Sequence, residues 1–311
     1  SSDGRPMDIY LPIAGVSENL LVILGLGTGI GLLSGMCGVG GGFLLTPLLI
    51  QIGIPPAIAV ASAANQVAGA SVSGCLGHWQ RGNVDVKMGL VLLGGGLLGS
   101  SFGVLLFGLL RRLGQIDLTI SLCYVILLGA LGGLMLVESL NMMVKRRKSA
   151  ELASGRLANR HLWIHHLPLK TRFRKSKLYI SALVPAGVGF LVGVLSAIMG
   201  VGGGFVIVPA MIYLIGMPTA VVIGTSLFQV MFVSANVTFL QAFGNQTVDV
   251  VLATLLLVGG TIGAQIGTRL GAKLRAEQLR VLLAVIVLAM SFKVLLDLAV
   301  TPSDIYSITI T

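Results

Sequence analysis

The sequence predicts an all-α polytopic membrane protein made of two inverted-topology repeats, each with about five helical segments. Three observations support this fold class. Hydrophobic residues make up 55% of the 311-residue chain and charged residues only 10%, whereas soluble domains carry about 25% charged residues. Apolar stretches of about 20 residues, the length that crosses a bilayer, fill most of the chain. A glycine-rich element also occurs twice, which indicates an internal duplication.

The glycine-rich element covers residues 34–43 in the first half and 196–205 in the second. The first-copy residues that recur 162 positions later are Ser34, Gly38, Val39, Gly40, Gly41, Gly42, Phe43 and Pro47. Glycine in a helix costs about 1 kcal/mol relative to alanine, so three in a row predict a break. The apolar pieces that follow, 43–54 and 205–215, are too short to cross a bilayer. We therefore expect a short broken helix or a re-entrant segment after each cluster.

The predicted segments divide the chain into five regions. Residues 1–6 precede Met7 and are expected to be an expression remnant outside the fold. Residues 7–138 form the first transmembrane repeat, 139–178 a basic cytoplasmic loop, 179–300 the second repeat and 301–311 a tail. In the first repeat, segments are predicted at about 19–37, 43–54, 56–79, 84–110 and 117–140. The second repeat follows the same order, from 178–199 to a last helix at about 277–298.

The net charge of +10 is confined to one loop. Residues 139–178 hold 11 Lys or Arg against one acidic residue, and the remainder of the chain is neutral. Such an excess between apolar blocks is typical of a cytoplasmic connection, with contact to anionic lipid headgroups as a secondary role. We therefore expect no nucleic-acid partner.

An odd number of segments per repeat gives the halves opposite orientations. Both termini are then outside, and Arg111-Arg112 is the one basic pair on the unexpected side.

Residues suited to metal binding, redox chemistry or catalysis form no recognised pattern. The cysteines Cys37, Cys75 and Cys123 lie in apolar stretches without a metal-ligand spacing, so we predict neither a metal site nor a disulfide framework. The glycine run lacks the Lys-Ser/Thr ending of a phosphate-binding loop. We expect no enzymatic activity and no cofactor.

Asp85 and Asp249 each stand at the start of a predicted helix and are interpreted as N-caps. Few ionisable residues lie inside the segments, so the sequence does not identify a coupling ion, and passive or potential-driven anion flux and symport both stay open.

The glycine clusters are the predicted substrate-binding element. A break in an apolar segment frees backbone N–H groups, and the short helix after it presents its positive dipole end. Together they form an anion site without a buried cation, and in transporters such ends meet near the bilayer midplane. The glycines concerned are Gly40, Gly41, Gly42, Gly202, Gly203 and Gly204. Alternatively, they only allow close helix packing. The substrate role predicts that Gly203→Ala weakens anion binding more than folding, unless the position needs a positive φ.

Polar side chains in the third helix of each repeat are predicted to complete the cradle. They are Asn65 and Gln66 in the first repeat, and Thr225, Ser226 and Gln229 in the second. Gln66 and Gln229 occupy equivalent positions, which strengthens the prediction for both. Serine and threonine often bond their own helix backbone, so a purely structural role stays open for them.

These motifs together resemble the sulfite exporter TauE/SafE family of membrane permeases. The resemblance rests on the duplicated G-x-G-G-G-F-x-x-x-P element, the I-G-x-P after each copy and G-T-S-L at 224–227, and it covers about residues 19–298. It implies a secondary transporter that exports small sulfur-containing anions, such as sulfite or organosulfonates, across the bacterial inner membrane. The alternatives are an anion channel or a non-transporting membrane anchor subunit. The halves differ where 61–65 align with 223–227, so the two half-sites are not chemically equal.

Overall fold

Helices dominate the computed structural model of the chain, which describes residues 8–37, 41–146, 170–173, 175–176, 178–271 and 276–299. Within these residues, four helical stretches are long and apolar enough to cross a membrane: Val86–Arg112, Ile116–Leu134, Val221–Asn245 and Val250–Gly267. The predicted all-α polytopic membrane fold is confirmed.

The two halves have the same order of elements. The first half contains a hairpin of β1 (Asp8–Leu11) and β2 (Val16–Asn19), then α1 (Leu20–Cys37), α2 (Gly42–Gln51), α3 (Pro56–Gln80), α4 (Val86–Arg112) and α5 (Ile116–Arg146). The second contains a hairpin of β3 (Lys170–Phe173) and β4 (Leu178–Ser181), then α6 (Leu183–Met199), α7 (Gly204–Ala210), α8 (Thr219–Leu240), α9 (Val250–Gly271) and α10 (Ala276–Ala299). Two π-helical turns, Met211–Ile215 and Gln241–Asn245, extend α7 and α8.

Each glycine cluster ends where a short helix begins. Gly41, with φ +67°, is the N-cap of the ten-residue helix α2, and Gly203, with φ +76°, is the N-cap of α7. Only glycine adopts this left-handed conformation without appreciable steric strain. Gly40 lies outside the described residues.

The helix pairs of one half recur in the other with the partners exchanged. Helix α1 packs along α9, and its counterpart α6 packs along α4. Helices α3 and α8 contact each other and also pack against α9 and α4 respectively, while α5 pairs with α10. This exchange is expected when a pseudo-two-fold axis relates two halves. The opposite orientation of the halves in the membrane stays a prediction.

Close contact between α1 and α9, and between α4 and α6, depends on glycines. A Cβ added to Gly31 would meet the carbonyl oxygen of Gly260, and one added to Gly193 would meet that of Gly96. A Cβ on Gly95 would likewise meet the backbone of Ala186. Small residues at helix contacts let backbones approach closely in membranes. Glycine at these helix positions therefore has a packing role, and for the glycine clusters packing stays the alternative to substrate binding.

The two hairpins are features that the sequence did not predict, and each is tied to the other half through an aspartate. Asp249 Oδ2 accepts hydrogen bonds from the backbone N–H groups of Ile13 (2.9 Å) and Ala14 (3.3 Å). Asp85 Oδ2 accepts from the backbone N–H (3.0 Å) and hydroxyl (2.6 Å) of Ser176. Both aspartates also cap their own helices, α9 and α4, through Oδ1. The N-cap interpretation holds for both.

The region predicted as a loop at 139–178 is partly ordered into helix and strand. Helix α5 continues to Arg146, and β3 begins at Lys170. Residues 140–144, Leu-Asn-Met-Met-Val, are mostly good helix formers, which explains the extension of α5. The second half therefore begins with its hairpin at Lys170, as the first begins with its hairpin at Asp8.

Hydrogen bonds show which connecting segments lie at the same end of the helix bundle. At one end, Lys175 Nζ donates to the carbonyl oxygens of Gly82 (3.3 Å) and Val84 (3.1 Å), so the second hairpin lies against the turn that follows α3. At the other end, Arg111 Nη1 donates to the carbonyl oxygen of Asn245 (2.5 Å). The Arg111-Arg112 turn thus lies at the same end as the π-turn after α8. A cation beside the carbonyls that end a helix is favourable.

Candidate functional site

The two short helices meet at their N-terminal ends in the centre of the molecule. The rings of Phe43 and Phe205, the second residues of α2 and α7, are buried and stack with centroids 4.4 Å apart. A Cβ added to Gly42 would lie 2.7 Å from the carbonyl oxygen of Gly200. The two glycine clusters, which are distant in the sequence, are therefore in direct contact.

Val67 of α3 and Val230 of α8 pack onto the clusters and bring the central helices next to them. A Cβ on Gly42 would lie 2.5 Å from Val67 Cγ2, and a Cβ on Gly202 would meet both Val67 Cγ1 and Val230 Cγ1. Gln66 and Gln229 each immediately precede one of these valines. The predicted glutamines are thus one residue away from side chains that touch the glycine clusters.

Gln66 and Gln229 are fully buried, and neither amide has a hydrogen-bond partner among the residues that the structure describes. Both the oxygen and the nitrogen of each amide are unpaired. A buried polar group without a partner costs about 1–3 kcal/mol, so such groups are rare in folded proteins and call for an explanation. Their occurrence at equivalent positions of both halves points to a common role.

Each glutamine lies in a junction of three helices built in the same way. The Gln66 amide faces Gly260 of α9, which itself contacts Gly31 of α1. The Gln229 amide faces Gly96 of α4, which contacts Gly193 of α6. A Cβ on Gly260 would lie 2.3 Å from Gln66 Nε2, and a Cβ on Gly96 would lie 2.6 Å from Gln229 Nε2. Both distances are shorter than van der Waals contact. Glycine at these positions therefore makes room for the amides.

Four serine hydroxyls are also buried without a partner in the described part of the chain: Ser62, Ser71, Ser196 and Ser234. Ser234 Oγ lies 2.8 Å from the position of a Cβ on Gly202, so this hydroxyl points at the second glycine cluster. The sequence reasoning missed these residues. Ser71 and Ser234 could have been found, because they are separated by the same 163 positions as Gln66 and Gln229.

The other predicted polar residues have partners within the protein. Thr225 Oγ1 accepts a hydrogen bond from the backbone N–H of Asp85 (2.9 Å), and Ser226 Oγ donates to the carbonyl oxygen of Ile223 in its own helix (2.8 Å). Asn65 Nδ2 donates to the carbonyl oxygen of Ala253 in α9 (3.3 Å). Thr225 and Asn65 therefore join α8 to the start of α4 and α3 to α9, whereas Ser226 bonds only its own helix.

The glycines of the second cluster are all placed by the structure. Gly202 and Gly203 have positive φ values of +71° and +76°, and Gly204 is the first residue of α7. In the first cluster, Gly41 caps α2 and Gly42 begins it. The backbone at the centre is therefore held in conformations that favour glycine, independently of what it binds.

The stretches of helix around the glutamines carry no formal charge. Residues 20–77, 88–110, 179–248 and 250–268 contain no Asp, Glu, Lys, Arg or His, and the cations of α4 and α9 lie near the ends of those helices. In the part of the chain that the structure describes, the buried charged residues are Asp85 and Asp249 at the helix starts. Electrostatic stabilisation at the centre therefore has to come from amides, hydroxyls, backbone N–H groups and the N-terminus of α2.

Comparison with protein families gives an extended match. The family model described as "Sulfite exporter TauE/SafE" matches residues 23–294. That range includes both glycine clusters, both glutamines and the helices that surround them.

Related proteins carry names of the same kind. A "Probable membrane transporter protein" of Xylella fastidiosa (strain 9a5c) is 31% identical over 252 residues, covering 79% of this chain and 82% of that protein. The "Probable membrane transporter protein YjnA" of Bacillus subtilis (strain 168) is 28% identical over 274 residues, which cover 88% of this chain and 98% of that protein. "Probable membrane transporter protein YunE" of the same strain is 27% identical over 225 residues, which cover 70% of this chain and 74% of that protein. No solved structure is significantly similar to the chain.

Proposed function

The chain belongs to the sulfite exporter TauE/SafE family and is a membrane transporter, and we propose that it exports small sulfur-containing anions, such as sulfite or organosulfonates, across the bacterial inner membrane. The proposed substrate site lies between the two halves. It comprises the glycine clusters, Gln66 and Gln229, with Ser234 added to the residues predicted from the sequence.

The observation that carries this proposal is the pair of buried, unpartnered amides. Gln66 and Gln229 hold four polar atoms away from water with no hydrogen-bond partner among the described residues. The resulting free-energy penalty falls away when a polar ligand or water binds them. Amide N–H groups, the Ser234 hydroxyl and the backbone at Gly202 are all suited to binding an oxyanion.

Burial of both amides supports a transporter over an open pore. A pore lined by Gln66 and Gln229 would leave these side chains accessible along its length, yet both are fully buried. A substrate reaches them only if the helix pairs around them move apart. Movement of one half against the other around a fixed central site is how transporters with inverted repeats give alternating access.

The charge distribution supports the direction of transport and the orientation of the chain. The basic segment 139–178 is expected at the cytoplasmic surface, and Lys175 within it contacts the turn after α3, so that turn is cytoplasmic too. Both termini are then outside. The cell interior is electrically negative. Each negative charge that leaves the cell therefore lowers its free energy by about 2.3 kcal/mol per 100 mV of membrane potential. An anion that moves without a coupling ion is therefore driven outward.

The test is transport by the purified chain in liposomes. We expect saturable counterflow of labelled sulfite or an organosulfonate, accelerated by unlabelled substrate on the opposite side. A thermal-shift screen of sulfite, thiosulfate, taurine and sulfoacetate selects the substrate for the assay. Large single-channel currents without counterflow would assign the chain to the channels instead, and a chain that binds and moves no anion would support the anchor-subunit alternative.

A further inference from the structure

Within the part of the chain that the structure describes, the helices around the proposed site offer an anion no opposite charge. The charge-free stretches 20–77, 88–110, 179–248 and 250–268 cover α1, α2, all of α6–α8 and most of α3, α4 and α9. The Asp85 and Asp249 carboxylates lie at the starts of α4 and α9 and are held by backbone N–H groups there. An anion beside Gln66 and Gln229 is therefore stabilised by neutral dipoles alone.

Neutral dipoles discriminate between anions of different charge. The free energy needed to remove an ion from water grows with the square of its charge, so a divalent anion loses about four times the hydration of a monovalent anion of the same size. The attraction between a fixed dipole and an ion grows only in proportion to the charge. A site built from amides, hydroxyls and backbone N–H groups therefore favours the monovalent ion.

Among monovalent anions, the hydrogen-bonding groups of the site favour one that keeps a proton. Each glutamine leaves an acceptor, Oε1, as well as a donor, Nε2, without a partner in the described structure. A fully deprotonated anion only accepts hydrogen bonds, so it satisfies Nε2 and leaves Oε1 unpaired. Hydrogensulfite retains a proton, and its O–H group can also donate to an amide oxygen.

We propose that the site takes its sulfur anion in the monovalent form, as hydrogensulfite or an organosulfonate, and rejects divalent sulfite and sulfate; this inference rests on the proposed function. The second ionisation of sulfurous acid falls near neutral pH. The pH therefore sets the fraction of sulfite that the protein can bind, while a singly charged organosulfonate such as methanesulfonate is a substrate across the whole neutral range.

The test is a set of calorimetric titrations of the full chain in detergent, with sulfite, methanesulfonate and sulfate as probes. Between about pH 6 and about pH 8.5, the affinity for total sulfite should fall about tenfold per pH unit above the second ionisation. Methanesulfonate is singly charged throughout and should bind equally at every pH. This probe also controls for any change in the protein itself. Sulfate should bind at least about a hundredfold more weakly than hydrogensulfite.

Two variants connect the binding to the site. Gln229→Leu should weaken binding of both hydrogensulfite and methanesulfonate, whereas Gln80→Leu, at the exposed end of α3, should leave both unchanged. Sulfate or divalent sulfite bound as tightly as hydrogensulfite would overturn the inference and leave the proposed function standing. Failure of every probe to bind at any pH, together with absent counterflow of labelled sulfite and organosulfonates, would overturn the proposed function and this inference with it.

Discussion

The ring of Phe43 stacks on the ring of Phe205, with their centroids 4.4 Å apart and their planes inclined by 11°. Each phenylalanine is the second residue of the short helix that follows a glycine cluster. They are equivalent residues of the two halves, so exchanging the halves leaves this contact unchanged. The stack joins the two broken segments at the centre of the molecule, next to the proposed site.

The stack should contribute measurable coupling to stability. Phe43→Ala and Phe205→Ala are each expected to lower the free energy of unfolding by about 3–5 kcal/mol, because both rings are buried. The loss of unfolding free energy in the double variant should be about 0.5–1.5 kcal/mol smaller than the sum of the two single losses, because each single variant already removes the stacking interaction. Denaturant unfolding in detergent measures all three variants. As a control, Phe205→Ala combined with Phe102→Ala, which changes an exposed ring elsewhere, should be additive.

Alanine at Gly203 should destabilise the fold, contrary to the expectation from helix propensity. Gly203 has a φ of +76°, and its added Cβ would collide with Val192 Cγ1. The left-handed conformation alone costs an alanine about 1–2 kcal/mol. A lowered melting temperature of Gly203→Ala therefore does not separate a packing role from a substrate role. Gly29→Ala, in α1 with no atom within 4 Å of the new Cβ, should instead raise stability by about 0.5–1 kcal/mol.

Asp249 should hold the first hairpin against α9. Asp249→Ala removes the helix cap and both bonds to the hairpin, so we expect a loss of about 1–2 kcal/mol. Hydrogen exchange at the backbone amides of Ile13 and Ala14 should accelerate in this variant, since these groups donate to Asp249. Asp117→Ala, which changes an exposed carboxylate in the first turn of α5, should leave both amides protected. Unchanged exchange in Asp249→Ala would mean that other contacts hold the hairpin.

The orientation of the chain is open to chemical labelling. On a background without cysteine, single cysteines introduced at positions 150–170 should react only from the cytoplasmic side. A cysteine at position 244, in the exposed π-turn after α8, should react only from outside. Arg111 contacts this same turn, so a cysteine at Arg112 should follow position 244. Reaction of positions 160 and 244 from the same face would exclude the inverted-repeat interpretation.

Much of the architecture follows from the duplication, because matched positions in a repeat predict matched places in a fold. The short helices after the glycine clusters and the equivalence of Gln66 and Gln229 could be derived in this way. The hairpins could not, since each strand has only four residues, too few for a clear alternating pattern. The hydrogen bond that Thr225 accepts from the start of α4 could not be derived either. Its partner, Asp85, is 140 positions away, and only the folded chain brings the two together.

The central claim is that Gln66 and Gln229 bind substrate, and the Gln66→Leu, Gln229→Leu double variant tests it on a single sample. Leucine has a volume similar to that of glutamine. The two substitutions remove two unsatisfied buried amides, each of which destabilises the folded protein by about 1–3 kcal/mol. The melting temperature should therefore be equal to or above that of the parent protein. Anion affinity should fall by about one to two decades, because charge-assisted hydrogen bonds are lost. A lowered melting temperature with unchanged affinity would contradict the account and make these glutamines structural residues.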